Sequence, residues 1–98
     1  MIKQINKSNF NEIINNERVL IDFYATWCGP CKMLGLVLEK VSLENIIDIY
    51  KVDVDLSTDL AREYNIYSVP TLILFENGKE VKRISGFICE DELKKWVA

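Results

Sequence analysis

Two cysteines separated by a Gly–Pro dipeptide are the residues of this chain best suited to chemistry. Cys28 and Cys31 are two of its three cysteines and stand in the sequence WCGPC. A pair with this spacing can bind a metal, form a structural disulfide, or form a disulfide that opens and closes. The rest of the chain distinguishes among these three uses.

A metal site at this pair would lack ligands. The chain has no histidine, and beyond the pair only Cys89 and carboxylates remain. Because a closed zinc site needs four ligands, usually cysteine or histidine, we expect no metal. The absence of histidine also excludes a Cys–His nucleophilic pair.

A structural disulfide depends on an oxidising compartment. The first residues, MIKQINKSNFNEI, are too polar for the apolar core of a signal peptide, and no apolar run is long enough to cross a bilayer. We therefore expect a cytoplasmic protein without a membrane partner, in a compartment where a structural disulfide would not persist. The net charge is −3 with both signs interspersed, which argues against nucleic acid as a partner.

The pattern of apolar residues predicts one α/β domain over residues 1–98. Val19–Ala25 is an apolar run typical of a central strand. The segment after WCGPC predicts an amphipathic helix. Its predicted inward side chains are Met33, Leu34, Val37, Leu38 and Val41.

The remaining elements are predicted from caps, alternation and turn signals. Ser8 is the expected cap of a first helix, after a strand over Ile2–Asn6. A third strand is predicted over Asn45–Asp53, a short helix ending near Asn65, a hairpin around Asn77–Gly78 and a closing helix. The order β-α-β-α-β-α-β-β-α predicts a single mixed five-stranded sheet with helices on both faces.

This arrangement places WCGPC at the carboxyl end of a strand and the start of a helix, where sites form in such sheets. Cys31 would lie one turn after Cys28 on the same face, at a separation that suits a disulfide. Pro30 fits a first helical turn, and Cys28 would face the positive helix end, which favours a thiolate. A redox-active dithiol is therefore favoured over the other two uses.

The chain resembles the thioredoxin family over nearly its full length. The matching segments are DFYATWCGPCK, KVDVD, SVPTLILFENGK and SGF, in the same order. The resemblance implies the thioredoxin fold and a monomeric thiol–disulfide oxidoreductase that reduces protein disulfides. It implies no cofactor beyond the Cys28–Cys31 disulfide, and a flavin-dependent thioredoxin reductase as the partner that restores the dithiol. Cys28 would be the exposed attacking thiolate and Cys31 the buried resolving thiol.

The resemblance also assigns two charged residues to the site. Asp22 matches the family's buried aspartate, and it is the only charge in VLIDFYA. A carboxyl group among such neighbours should have a raised pKa and could take the proton of Cys31. The alternative is a solvated aspartate at a strand edge. Lys51 matches a lysine near that aspartate; the alternative is a lysine that only extends to water.

Further matches concern substrate binding. Pro70 matches a cis-proline facing the disulfide, and Val69 would offer its backbone to an extended substrate segment. Gly86 would keep the groove open, unless it only forms a turn. Trp27 would cover the edge of the disulfide, unless it is plain core packing. The implied substrate-binding residues are Trp27, Gly29, Pro30, Val69, Pro70 and Gly86.

Three positions depart from the family pattern. Tyr24 stands where a second tryptophan is usual, and Leu36, after Gly35, replaces a proline that kinks the helix. Cys89 stands where a polar helix cap is usual. Because the acidic residues after Cys89 oppose a thiolate, we expect low reactivity; the alternative is a regulatory or dimer-forming disulfide.

Two rival functions stay open at this point. One is a thiol oxidase or isomerase, although the Gly–Pro spacer lacks the histidine of oxidising relatives and so favours a reductant. The other is a binding subunit that docks partners on the surface around Trp27, Val69 and Gly86.

Overall fold

The computed structural model describes residues 2–98, in which strands and helices alternate as predicted. The strands are β1 (Ile2–Gln4), β2 (Arg18–Tyr24), β3 (Asp48–Asp53), β4 (Thr71–Glu76) and β5 (Lys79–Ser85). The helices are α1 (Lys7–Ile14), α2 (Gly29–Ser42), α3 (Thr58–Glu63) and α4 (Glu90–Val97). None of these helices is both long enough and apolar enough to span a membrane.

The strands form one five-stranded sheet in the order β1-β3-β2-β4-β5. The first three strands along the chain are parallel, because helices connect them and return the chain to the same edge. β4 is antiparallel to β2, and β5 is antiparallel to β4 across a tight turn. The predicted α/β class and mixed sheet are thus confirmed.

The helices cover both faces of the sheet, as predicted. Alternate residues of each strand point to opposite faces and therefore contribute to two separate cores. Residues of α2 and α4 pack on one face, in a core that contains Leu20, Leu34, Leu38, Ile49, Leu72, Leu74 and Leu93. Residues of α1 and α3 pack on the other face, in a core that contains Phe10, Ile14, Val19, Phe23, Val52, Leu60 and Phe75.

The predicted boundaries of three strands were wrong: β2 is Arg18–Tyr24 rather than Val19–Ala25, a shift of one residue, and the other two differences are larger. β1 ends at Gln4 rather than Asn6, because the Asn6 side chain caps α1 by accepting the N–H of Ser8 at 2.9 Å. Ser8 is therefore not the cap but lies inside the first turn. β3 begins at Asp48 rather than Asn45, because Asn45 has a φ of 52° in the left-handed region, which a strand does not accept.

The predicted inward face of α2 was wrong at one position. Leu34, Leu38 and Val41 are buried as expected, but Met33 is 56% exposed. Met33 lies one residue before the buried stripe, and on a helix that step turns a side chain by about 100° toward solvent. α2 runs unbroken past Leu36, which is itself exposed.

Candidate functional site

The two cysteines of WCGPC form a disulfide at the start of α2. Cys28 is the N-cap residue in an extended conformation, and Cys31 lies in the first turn with its Cα 5.2 Å from that of Cys28. The N–H of Cys31 donates to Cys28 Sγ at 3.2 Å. Pro30 occupies the first turn, where its missing N–H leaves no helical bond unmade. The sequence predicted this placement.

The two cysteine residues differ less in exposure than the resemblance implied. Cys28 is 6% exposed and Cys31 is 3% exposed, so both are buried in the oxidised protein. They face different hollows, however. Cys28 lines a groove that also contains Trp27 and Val69, whereas Cys31 lines a second hollow beside Lys51. A partner that enters the first groove therefore meets Cys28 and not Cys31.

The groove at Cys28 has a volume of about 520 Å³ and a mostly apolar lining. Four of the predicted substrate-binding residues line it, namely Trp27, Gly29, Pro30 and Val69. Sequence reasoning missed the other lining residues, which are Val54, Ile66, Tyr67 and Ser68. The available signal was the segment NIYSV, in which two large apolar side chains stand in a loop next to the matched Val69–Pro70.

Pro70 and Gly86 support this groove without lining it. The Val69–Pro70 peptide bond is cis, as the resemblance implied. The Val69 carbonyl oxygen lies 3.6 Å from Cys28 Sγ, and a reduced Cys28 could donate its S–H to that oxygen. The N–H of Gly86 donates to the Pro70 carbonyl at 2.8 Å. Gly86 has a φ of 93°, which favours glycine, and nothing lies within 4 Å of a Cβ built there.

Trp27 lies on the surface rather than in the core. Its side chain is 71% exposed, so plain core packing is excluded. The indole Nε1 donates to Asp55 Oδ2 at 2.8 Å, which fixes the ring at the mouth of the groove. Sequence reasoning missed Asp55, because nothing in KVDVD indicates which of its acidic side chains reaches a residue 28 positions away.

Asp22 is fully buried on the sheet face that α2 covers. It is 0% exposed, and neither carboxyl oxygen has a hydrogen-bond partner among the described residues. Burial raises the pKa of Asp22 from 3.8 to about 7, and the positive charge of Lys51 opposes that rise. The solvated alternative is therefore excluded, and the carboxyl group titrates near neutral pH.

Lys51 is the residue directly beside Asp22 in the sheet. The parallel register pairs Asp22 of β2 with Lys51 of β3, so both side chains leave the same face. Lys51 also lines the hollow of about 350 Å³ that Cys31 lines. Lys51 therefore adjoins Asp22 in the sheet and shares a hollow with the Cys31 side of the disulfide.

The third cysteine, Cys89, lies outside the groove at Cys28. Cys89 is exposed, begins α4 without a capping hydrogen bond, and does not line the groove at Cys28. Within residues 2–98, no group of three or more cysteine and acidic side chains could hold a metal ion.

Comparison with known proteins identifies the family. The thioredoxin family model matches residues 1–98. The thioredoxin of Chlamydia trachomatis is 46% identical over 99 residues, which cover 100% of this chain and 97% of that protein. The bifunctional thioredoxin reductase/thioredoxin of Mycobacterium leprae is 47% identical over 88 residues, 87% of this chain and 19% of that protein.

A solved structure gives the same result. The thioredoxin of Malassezia sympodialis, Mala s 13, superposes with a TM-score of 0.88 at 35% identity, covering 99% of this chain and 88% of that chain. Its fold is therefore shared across nearly the whole length. With its Cys28–Cys31 disulfide at the start of α2, the chain belongs to the thioredoxin family and is a thiol–disulfide oxidoreductase.

Proposed function

We propose that the chain works as a reductant of disulfides in protein substrates, as a single-domain cytoplasmic monomer. The observation that carries this proposal is the position of the Cys28–Cys31 disulfide, whose first sulfur lines an open apolar groove. A reductant must present its nucleophilic sulfur to a partner while keeping the second sulfur out of reach. The two separate hollows meet that requirement.

The first step forms a mixed disulfide. The Cys28 thiolate attacks one sulfur of the substrate disulfide, a new S–S bond forms, and the other substrate sulfur leaves as a thiolate. The N–H of Cys31, which donates to Cys28 Sγ, and the start of α2 stabilise negative charge on that sulfur. The groove binds an extended substrate segment through apolar contacts and the backbone at Val69.

The second step releases the substrate. Cys31 loses its proton and attacks Cys28 Sγ, so the Cys28–Cys31 disulfide forms and the second substrate sulfur leaves as a thiolate. Two electrons pass to the substrate, and the chain is oxidised. With a pKa of about 7, Asp22 is ionised in a large fraction of molecules at neutral pH and accepts the Cys31 proton, directly or through water. Lys51 stabilises the ionised form of Asp22.

A second enzyme must then reduce the disulfide. We propose a flavin-dependent thioredoxin reductase as this partner, which makes the chain a carrier of electrons in redox homeostasis. The M. leprae relative supports this assignment, because its name describes a thioredoxin joined to a thioredoxin reductase in one protein. The proposed chemistry needs no cofactor in this chain beyond its own disulfide.

The reduction potential of the Cys28–Cys31 couple tests the direction of the reaction. Equilibration with a dithiol buffer should give a value near the known potential of thioredoxins, about −270 mV. A value near that of protein disulfide isomerase, about −180 mV, would contradict the proposal and indicate an oxidant or isomerase.

A double variant, Cys28→Ser with Cys31→Ser, tests the alternative of a binding subunit, which the exposed groove keeps open. Activity with a protein disulfide, such as insulin, should be lost in this variant. A cellular function that survives in the double variant would show that docking alone suffices and would contradict the proposed reductase function.

A further inference from the structure

Tyr24 is close to the site but has no part in the steps described above. It lies two residues after Asp22 on β2, so its side chain leaves the same face of the sheet. Lys51 Nζ lies over the Tyr24 ring, 4.2 Å from its centroid. An ammonium group at this distance is attracted by the negative face of the ring.

The Tyr24 ring contacts a side chain of the neighbouring strand. Tyr24 lies on β2 and Lys51 on the neighbouring strand β3, so the ring and the ammonium meet between the two strands. The register places Gln4 beside Lys51 and Lys51 beside Asp22. The three residues thus lie side by side across β1, β3 and β2, and the Tyr24 ring presents its face to the Lys51 ammonium.

Nothing else in the described part of the chain fixes the Lys51 ammonium. The salt bridges of residues 2–98 do not include Lys51. On its open side lies the hollow of about 350 Å³. Gly35 faces the ammonium from α2 without a side chain of its own, and a Cβ built there would be in contact with Lys51 Nζ at 3.7 Å. Without the ring, the ammonium could move into the hollow and water.

The other charged groups near Lys51 do not replace the ring. Asp53 is on the same face of β3, but its Oδ1 accepts the backbone N–H groups of Asp55 and Leu56. From α2, Lys32 and Glu39 line the hollow without forming a salt bridge to Lys51. On β4, the neighbour of Asp22 is the uncharged Leu72, and on β1 the neighbour of Lys51 is the uncharged Gln4.

We propose that Tyr24 is a positioning residue, whose ring holds the Lys51 ammonium beside Asp22. The consequence for resolution of the mixed disulfide rests on the proposed function, in which Asp22 accepts the Cys31 proton. The placement of Lys51 does not rest on it, and it can be tested in the oxidised protein without any substrate.

The test is an NMR titration of the Asp22 carboxyl carbon in oxidised protein, with the signal assigned from Asp22→Asn. Tyr24→Leu removes the ring face but keeps an apolar side chain. The ammonium then moves to water rather than toward a fully buried carboxylate, because that approach would desolvate it. We expect the Asp22 pKa to rise by roughly 0.5 unit, in line with the loss of part of one charge–charge attraction.

Two further variants test whether the shift in the Asp22 pKa is caused by the face of the Tyr24 ring. Tyr24→Phe keeps the face and loses only the hydroxyl, so the Asp22 pKa should stay within about 0.2 unit of the parent value. In a Lys51→Met background, Tyr24→Leu should no longer shift that pKa, because the ring acts through Lys51. Amide spectra of each variant report whether the fold is kept.

Three outcomes would overturn the proposal: an unchanged or lowered Asp22 pKa in Tyr24→Leu, an equal shift in Tyr24→Phe, or a shift that persists without Lys51. If Tyr24→Leu fails to fold, Tyr24→Met replaces it in the same titration. A failed substrate reaction together with the expected pKa shifts would count against the proposed function and not against this placement.

Discussion

At the scale of single residues, the Asp22 carboxyl group is a destabilising feature of this protein. It is completely buried and finds no hydrogen-bond partner among residues 2–98. A carboxylate in such surroundings is destabilising, because the protein offers little to replace the water that solvates it in the unfolded chain. The fold tolerates this cost at one position next to its redox-active disulfide.

The cost of Asp22 predicts a specific pH dependence of stability. The pKa of Asp22 is about 7 in the folded protein and 3.8 when it is unperturbed, so the folded state binds more protons between these values. Stability should therefore fall as pH rises from 4 to 8, by about 4 kcal/mol from this group alone. Asp22→Asn removes this contribution. In urea unfolding, the stability of Asp22→Asn relative to the parent protein should increase as pH rises.

Asp48→Asn is the matched control for Asp22→Asn, because Asp48 is an exposed aspartate of the neighbouring strand. The difference in free energy of unfolding between Asp48→Asn and the parent protein should be nearly constant between pH 4 and 8. An Asp22→Asn difference that is equally constant would contradict the raised pKa of Asp22.

The burial of Asp22 could be predicted from the sequence, but the side chains that surround it could not. A single charge inside VLIDFYA must lie in an apolar environment, and its raised pKa follows from that alone. The position of Lys51 depends on the register between β2 and β3. In that register Asp22 pairs with Lys51, which lies 29 residues later in the chain. Nothing local in the sequence fixes that register, so the resemblance to a family had to supply it, and the contact with Tyr24 was not foreseen.

At the scale of elements, the start of α1 shows how a helix boundary is set by one side chain. Asn6 accepts the N–H of Ser8, and the Asn9 side chain accepts the N–H of Asn6 at 3.0 Å, so two backbone donors are satisfied reciprocally. Asparagine and serine are both residue types that cap helices, so Asn6, Ser8 and Asn9 are chemically equivalent choices. Only the geometry of the chain leaving β1 decides among them, which is why Ser8 was the wrong prediction.

Asn6→Ala should therefore lower the free energy of unfolding by about 1 kcal/mol, because the first turn of α1 loses its cap. Urea unfolding monitored by far-UV circular dichroism measures this change. Asn11→Ala serves as the control, since Asn11 is exposed within the helix. Ser8→Ala is a second comparison, because the Ser8 hydroxyl only donates to Asn6 Oδ1 and does not itself cap the helix. A larger loss in Ser8→Ala than in Asn6→Ala would contradict this assignment of the cap.

At the scale of the whole molecule, Arg18 links parts of the chain that are far apart in sequence. Its Nε donates to Glu76 Oε2 at 3.0 Å, which joins the start of β2 to the end of β4. Its guanidinium also donates to the Val97 carbonyl oxygen at the end of α4. One side chain thus connects the central strand to the hairpin and to the last helix.

Arg18→Ala should lower the free energy of unfolding by about 1–3 kcal/mol, because hydrogen bonds to a charged group are lost in a partly buried position. Arg18→Lys should recover only part of this, since an ammonium lacks the planar fork of donors. Arg62→Ala is the control, because Arg62 forms no salt bridge within residues 2–98. Equal losses in Arg18→Ala and Arg62→Ala, measured by denaturant unfolding, would contradict this role.

The position of β5 at the edge of the sheet affects the tendency of the protein to aggregate. An edge strand presents unpaired backbone groups on which a strand of another molecule could grow into an aggregate. β5 carries Lys79, Glu80, Lys82 and Arg83 along this edge, and its pairing with β4 is irregular at Leu74 and Phe75. Charges and a broken register both discourage a flat intermolecular sheet. The β5 edge is thereby a poor template for a second molecule, which leaves β1 as the sheet edge through which strand addition would have to occur.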